Sequence, residues 1–416
     1  MKILIKILFI ITIGLGFSAP VEAIEIAGVD IHGFASQGFV QTINQDSFIA
    51  KDSGKGSFDF NEFGINFSKQ INPDLHMGLQ FFAQDRGNYG KDKITLDWAF
   101  GDYRLDDWLG FRAGKIKNPI GLYNETRDAD TLRTFVLLPQ GIYADAQRDN
   151  AIALNGAGIY GSMPVGIVGT LDYQVQVGVL PMETDGGSAQ QMKYKINSTG
   201  NGTATVTDAG SSTTVLHNLE WRLPIDGLKL AATGIHTSIN FEVNDAVSIG
   251  TVSLTSPPAP AGAKAVMFAP RSTTINNRDL HKYLFSTEYT WRDLVVAGEY
   301  MMQDFDATSV ATVYSSNPAK VTSKIVPTKR DSWYVSATYR INDYFELGSY
   351  YNEYYGNRDN RDSNYQKDTA VTLRIDPLKN LVLKLEGHYL KGTDLLLTPF
   401  NTDDWYIFAT KVTYSF

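Results

Sequence analysis

Over most of its length the chain alternates apolar and polar residues with a period of two. Residues 405–416 show it most plainly: Tyr406, Phe408, Thr410, Val412, Tyr414 and Phe416 form one row, and Trp405, Ile407, Ala409, Lys411, Thr413 and Ser415 the other. Successive side chains of a strand point to opposite faces, so such a segment sets a largely aromatic and apolar row against one medium and a small or polar row against another. The pattern recurs upstream. Phe63, Ile65 and Phe67 alternate with Glu62, Gly64, Asn66 and Ser68; Tyr283, Phe285, Thr287 and Tyr289 with Lys282, Leu284, Ser286 and Glu288; Leu381, Leu383 and Leu385 with Lys384, Glu386 and His388. Charges fall mainly on the row opposite the apolar one.

The connections between these stretches have a rhythm of their own. Short ones at 72–74, 105–108, 163–166, 224–227, 291–293, 341–343 and 376–380 alternate with long ones, among them 43–55, 118–149, 182–210, 241–279, 305–329, 356–367 and 391–404. The first strand is expected over 26–42 and the second over 57–69. Sorting of loop lengths by end belongs to a transmembrane antiparallel up-and-down β-barrel, with brief turns on one side of the membrane and longer loops on the other; the count is roughly sixteen strands, an even number. A Lys or Arg facing lipid at mid-depth costs ~2 to 4 kcal/mol, so the charged row must face water. A barrel of that strand number has a lumen too wide for side chains to fill, so water runs through it. Trp108, Trp221 and Trp291 at short turns, with Trp333 and Trp405 at the opposite strand ends, fit aromatic girdles at the two interfaces.

Composition changes the picture in two places. A hydrophobic content of 43% with a mean hydropathy of −0.18 describes a soluble protein on average, but barrel strands escape that average because only alternate residues meet lipid. At the start, Lys2 and Lys6 precede an apolar run to Phe17, followed by Pro20 and Ala23. That order predicts a cleaved secretory signal peptide over 1–23 and an outer-membrane barrel over 24–416. The sequence contains no Cys, which excludes disulfides, and a net charge of −8 argues against nucleic acid as partner.

The connection 118–149 reads NPIGLYNETRDADTLRTFVLLPQGIYADAQRD. Ile120, Leu122, Phe135, Val136, Leu137, Leu138 and Ile142 would not lie bare in water, and the nearest cover is the inner wall of the barrel. A short helix over 124–135, carrying Glu125, Asp128 and Asp130 early and Arg133 late, is expected to end before Pro139.

On these residues the chain resembles known families. The closing strand, with Val412, Tyr414 and the terminal Phe416, looks like the last strand of bacterial outer-membrane barrels, which the resemblance says is read by the barrel-assembly machinery. Leader, terminal Phe416, strand rhythm and an infolded third extracellular loop over 118–149, at the position of the porin constriction loop, together resemble the sixteen-stranded trimeric porins of Gram-negative outer membranes. Gly114–Asp128 is loosely similar to the Gly-x-x-Lys-x-Pro-x-Gly pattern of phosphate-selective porins, whereas the Pro-Glu-Phe-Gly-Gly signature of enterobacterial general porins is absent. The resemblance implies a homotrimer in outer-membrane lipid and lipopolysaccharide, passing small solutes or ions through a waist where loop carboxylates face a basic wall. Here the carboxylates would be Glu125, Asp128 and Asp130, and the wall Arg86, Arg112 and Lys115, with Arg340, Arg374 and Lys384 on later strands. Inward acids are numerous as well (Glu62, Asp97, Asp172, Glu220, Glu288, Glu299, Glu346, Glu386), so the sign of selectivity stays open.

Other signals lead elsewhere. Gly156–Gly161 matches Gly-x-Gly-x-x-Gly, but a turn follows where a dinucleotide site needs a helix. The six His are dispersed and 357–364 mixes Arg with Asp, so neither cofactor nor metal is assigned, nor any catalytic residue. Two alternatives to a channel stand: a barrel enzyme, protease or phospholipase, and an adhesive barrel binding partners through 182–210 and 241–279.

Overall fold

Alternation and hairpin turns carry through into one antiparallel sheet. The computed structural model describes residues 24–199, 204–253, 264–315, 318–362, 364–393, 395 and 402–416; the expected signal peptide lies outside them. The strands are β1 (Ile24–Ile26), β2 (Val29–Ile43), β3 (Asn61–Asn72), β4 (Leu75–Asp85), β5 (Thr95–Asp106), β6 (Leu109–Lys117), β7 (Ala153–Pro164), β8 (Thr170–Val179) and β9 (Thr205–Ser211). There follow β10 (Thr214–Arg222), β11 (Leu228–Ser253), β12 (Lys264–Trp291), β13 (Leu294–Val313), β14 (Lys320–Arg340), β15 (Phe345–Tyr355), β16 (Tyr365–Leu378), β17 (Leu381–Gly392) and β18 (Asp404–Ser415).

Sixteen of them close on themselves. β2 to β8 pair in chain order, β8 pairs β10, the series runs on to β18, and β18 pairs β2. β1 folds back on β2, and β9 lies against the outer part of β11. At the seam, Ser415 sits opposite Phe34 and Lys411 opposite Gly38. Phe416 then exchanges both backbone hydrogen bonds with Gly33, each 2.9 Å long.

The two faces separate as the pattern requires. Phe63, Phe81, Phe111, Tyr283, Phe285, Tyr289, Val335 and Val371 are exposed on the isolated chain, while Glu62, Gln80, Leu284, Ser286, Lys384 and Glu386 are buried on the opposite row. An apolar belt of this kind meets lipid. Trp108, Trp221 and Trp291 are exposed near short turns. Trp405 is not a girdle residue: it is fully buried on the inner row, its ring 5.0 Å from that of Phe48. It stands an even number of residues before Lys411, and parity decides its side.

Three expectations about local structure need correction. The first strand is broken at Ala27 and Gly28, both with positive φ, into β1 and β2. Most of 241–279 and 305–329 is strand, because Val, Thr, Ile and Ser keep a β-prone backbone and each strand finds a partner in register. β11 to β14 therefore run to 26, 28, 20 and 21 residues, well past the ~9 to 11 that cross a membrane. The segment 182–210 likewise holds a helix, Gly187–Thr199, and part of β9.

Candidate functional site

The connection between β6 and β7 spans 118–152, and its apolar side chains find cover on strands far from its own ends. Ile120, Leu138, Ile142 and Tyr143 pack with Leu216, Ile235, Leu284, Met301 and Tyr334 of β10 to β14. Phe135 meets Tyr350 and Ala370 on β15 and β16. Val136 and Leu137 join Val40, Leu390, Trp405 and Ile407 on β2, β17 and β18. Its backbone forms turns and two 3-10 segments, Asp130–Leu132 and Asp145–Gln147, with a single helical turn at Arg148–Ala151. The helix expected over 124–135 does not form. Short polar residues compete with the backbone for helix hydrogen bonds, and here Asn124, Asp128 and Asp130 are engaged by partners elsewhere.

Carboxylates on the wall hold the backbone of this connection. Glu299 accepts from the Leu122 N–H at 3.0 Å, from the Tyr334 hydroxyl at 2.8 Å and from the Ser286 hydroxyl at 2.6 Å, and Tyr143 also donates to it. Gly121, with φ +59°, passes so close to Glu299 and Tyr143 that a Cβ there would collide with both. Glu386 accepts from the N–H groups of Val136 and Leu137 at 2.7 and 2.8 Å. Thr134 donates to Glu346, and the Gly141 N–H to Asn352 at 3.1 Å.

Ion pairs supply a second fastening. Asp130 faces Lys384 at 2.9 Å, Lys411 at 2.8 Å and Arg133 at 2.9 Å, and accepts from the Thr413 hydroxyl at 2.7 Å. Lys411 also pairs with Glu62, and Glu62 with Arg86, whose Nε reaches Asp145 at 3.0 Å. Arg148 is clasped by Asp97 at 2.9 Å and Asp128 at 2.8 Å over the Phe82 ring. Such pairs are costly to break on one side only.

Charge state follows from these partners. Burial works to raise the Asp128, Asp130 and Asp145 carboxyls, but Arg148 at the first, Lys384, Lys411 and Arg133 at the second, and Arg86 at the third outweigh it and hold all three below the usual range. At Glu125 burial prevails over Arg112 and Lys117, and the carboxyl is raised. A carboxyl whose folded value lies below its unfolded value of about 3.9 stabilises the fold above that value, and the contribution is lost as pH falls through the folded value. The raised Glu125 works the other way and adds stability as pH falls, so thermal stability in detergent is expected not to drop between pH 7 and about 4.5 and to fall only below about 4. A drop beginning near pH 6 would contradict the docking described here.

The expected waist residues divide into groups. Asp128, Asp130, Arg86 and Lys384 are buried in the ion-pair network. Arg374 bonds Asp376 at 2.9 Å and the Arg133 carbonyl at 3.1 Å, and Arg340 pairs with Asp376 and, at 3.3 Å, with Glu346. Arg112 is half-buried, bonded to Asp102 at 2.7 Å and lying 4.3 Å from the Tyr160 ring centroid. Glu125 accepts from Lys117 through its carbonyl at 2.6 Å, and Lys115 donates to the Leu96 carbonyl at 2.5 Å.

Closed sixteen-strand barrel, sorted loops and this long connection together specify an architecture. The fold is that of the outer-membrane porins. The chain is similar to OmpF of Salmonella typhi in complex with daunomycin, at a TM-score of 0.55 and 15% identity over 95% of this chain and 100% of that one. It is similar to the anion-selective porin of Comamonas acidovorans, at 0.54 and 11% over 93% and 99%, and to the outer membrane channel DcaP of Acinetobacter baumannii, at 0.54 and 11% over 95% and 100%. No family model matches the sequence, and no curated protein matches it. Identities this low make the likeness to the porins one of fold.

Six members of the network were not singled out from sequence as waist residues: Lys411, Arg133, Asp145 and Arg148, together with Glu62 and Asp97, which were marked only as inward acids. Lys411 had a visible signal, as the one cation on the inner row of the last strand. Arg148 and Asp145 lie in the tail of the connection, where nothing in the local pattern marks them.

Proposed function

We propose that the protein is an outer-membrane porin, a passive diffusion channel for small hydrophilic solutes or ions. The docking of 118–152 onto β10 to β18 through Glu299, Glu386 and Asp130 carries this reading. A connection held there by wall carboxylates occupies part of the bore and leaves the rest to water. Solutes then pass the half-exposed charges of the other wall, the pairs Arg112–Asp102, Arg222–Asp172 and Lys229–Glu288. Paired charges of both signs suit a filter for polar solutes, with selectivity set by whichever member projects further into the path.

The resemblance extends the proposal to three copies per assembly, embedded among lipid and lipopolysaccharide, with Val412, Tyr414 and Phe416 presented to the assembly machinery. Liposome swelling with sugars of graded size tests the channel. Entry that falls steeply with solute size supports it, and vesicles holding folded protein that admit none of the sugars would refute it. Arg112→Glu is expected to move the reversal potential in a KCl gradient towards the cation value. An unchanged potential would remove Arg112 from the path.

A further inference from the structure

Between the connection, the helix Gly187–Thr199 and the wall formed by β10 to β14 lies a cavity of about 150 Å³. Ile120, Leu216, Ile235, Phe241, Leu280 and Met192 give it an apolar side. Beside them Lys282, Gln303 and Arg330 stand in register on three neighbouring strands, β12, β13 and β14, with Lys282 opposite Ile235 in the ladder. Among the described residues no carboxylate lines the cavity, and neither cation has an ion-pair partner. The Arg330 Nε is buried without a hydrogen-bond acceptor, and the guanidinium sits 4.9 Å from the Phe305 ring centroid.

Elsewhere Lys384 and Lys411 on the wall, and Arg86, Arg148 and Arg271, each meet a carboxylate. Two half-buried cations without carboxylate partners, set beside apolar surface, leave charge free for an anion that enters the cavity. An apolar cavity of about this volume takes a benzene-sized ring, and a guanidinium receives a carboxylate through parallel N–H bonds.

We propose that the cavity binds small amphipathic monocarboxylates, the aromatic or short aliphatic body against Ile235 and Leu216 and the carboxylate on Lys282 and Arg330. Such a site deepens the channel reading, on which its role in uptake rests, because a solute that dwells on the wall of the bore is drawn in at low concentration. Occupancy itself does not need conduction, so the two can be tested apart.

The experiment is calorimetric titration of the folded full chain in detergent with benzoate, and with acetate and benzyl alcohol as probes of charge alone and ring alone. Benzoate is expected to bind at least about tenfold more tightly than either, and Lys282→Gln with Arg330→Gln to weaken it about tenfold or more, since charge-assisted hydrogen bonds are the strong ones. Equal binding of benzoate and benzyl alcohol, or undiminished benzoate affinity in the double variant, would overturn the proposal. Should the double variant fail to fold, the ranking of the three probes on the unaltered protein decides alone. A conducting protein that ignores benzoate loses the site and keeps the channel; a silent one that binds it does the reverse.

Discussion

Asp130→Ala is expected to lower the thermal midpoint of the barrel and to raise its single-channel conductance. The carboxylate has no solvent exposure and serves three cations at once, Lys384, Lys411 and Arg133. Without it Lys411 keeps Glu62, but among the described residues Lys384 retains only the Phe135 carbonyl at 3.3 Å and Arg133 only the Val136 carbonyl at 2.9 Å. Removing one partner of a buried ion pair costs about 3 to 5 kcal/mol, because the remaining charge stays buried and uncompensated. The segment Asp130–Leu132 would then leave β17 and β18, while Glu299 and Glu386 still hold the flanks and the sheet still closes. Unchanged melting together with unchanged conductance would show that Asp130 fastens nothing.

Gly33→Val should act earlier, on closure itself. A Cβ at Gly33 would stand 2.5 Å from Phe416 Cζ and 2.8 Å from the Gly64 carbonyl oxygen. The ring can rotate away but the Gly64 backbone cannot, since it belongs to the β3 ladder. Overpacking against fixed atoms costs about 1 to 3 kcal/mol, and here it falls where the last residue seals the first barrel strand. The expected result is a large loss of the folded, heat-modifiable band on electrophoresis of refolded protein. Recovery of that band at the normal yield would mean that the close approach of Gly33 to the Gly64 carbonyl is not needed at the seam.

Much of the barrel could be read from the chain because period two is written residue by residue. The charged row at Lys384, Glu386 and His388 and the aromatic row at Tyr283, Phe285 and Tyr289 stand on the sides that lipid and water demand. Loop lengths gave strand direction. Strand ends were less legible: Asn, Asp and Pro in 241–279 and 305–329 look like loop, yet the ladder continues through Pro270 and Pro327 because Val, Thr and Ile around them still pair.

The packing of the long connection was harder. That Phe135 to Leu138 needed cover followed from their hydrophobicity, but which wall covers them depends on contacts between residues more than two hundred positions apart, such as Val136 with Glu386. The same holds for the carboxylates. Asp128 and Asp130 were visible as charges in a loop; that they are spent on Arg148, Lys384 and Lys411, and so lie buried, comes from tertiary packing alone.

The most direct test of the central claim is single-channel recording of the unaltered protein in a planar bilayer. A water-filled cylinder narrowed by 118–152 predicts discrete conductance steps, ohmic at low voltage and larger in the Asp130→Ala variant. Folded protein that inserts and yields no steps would contradict it.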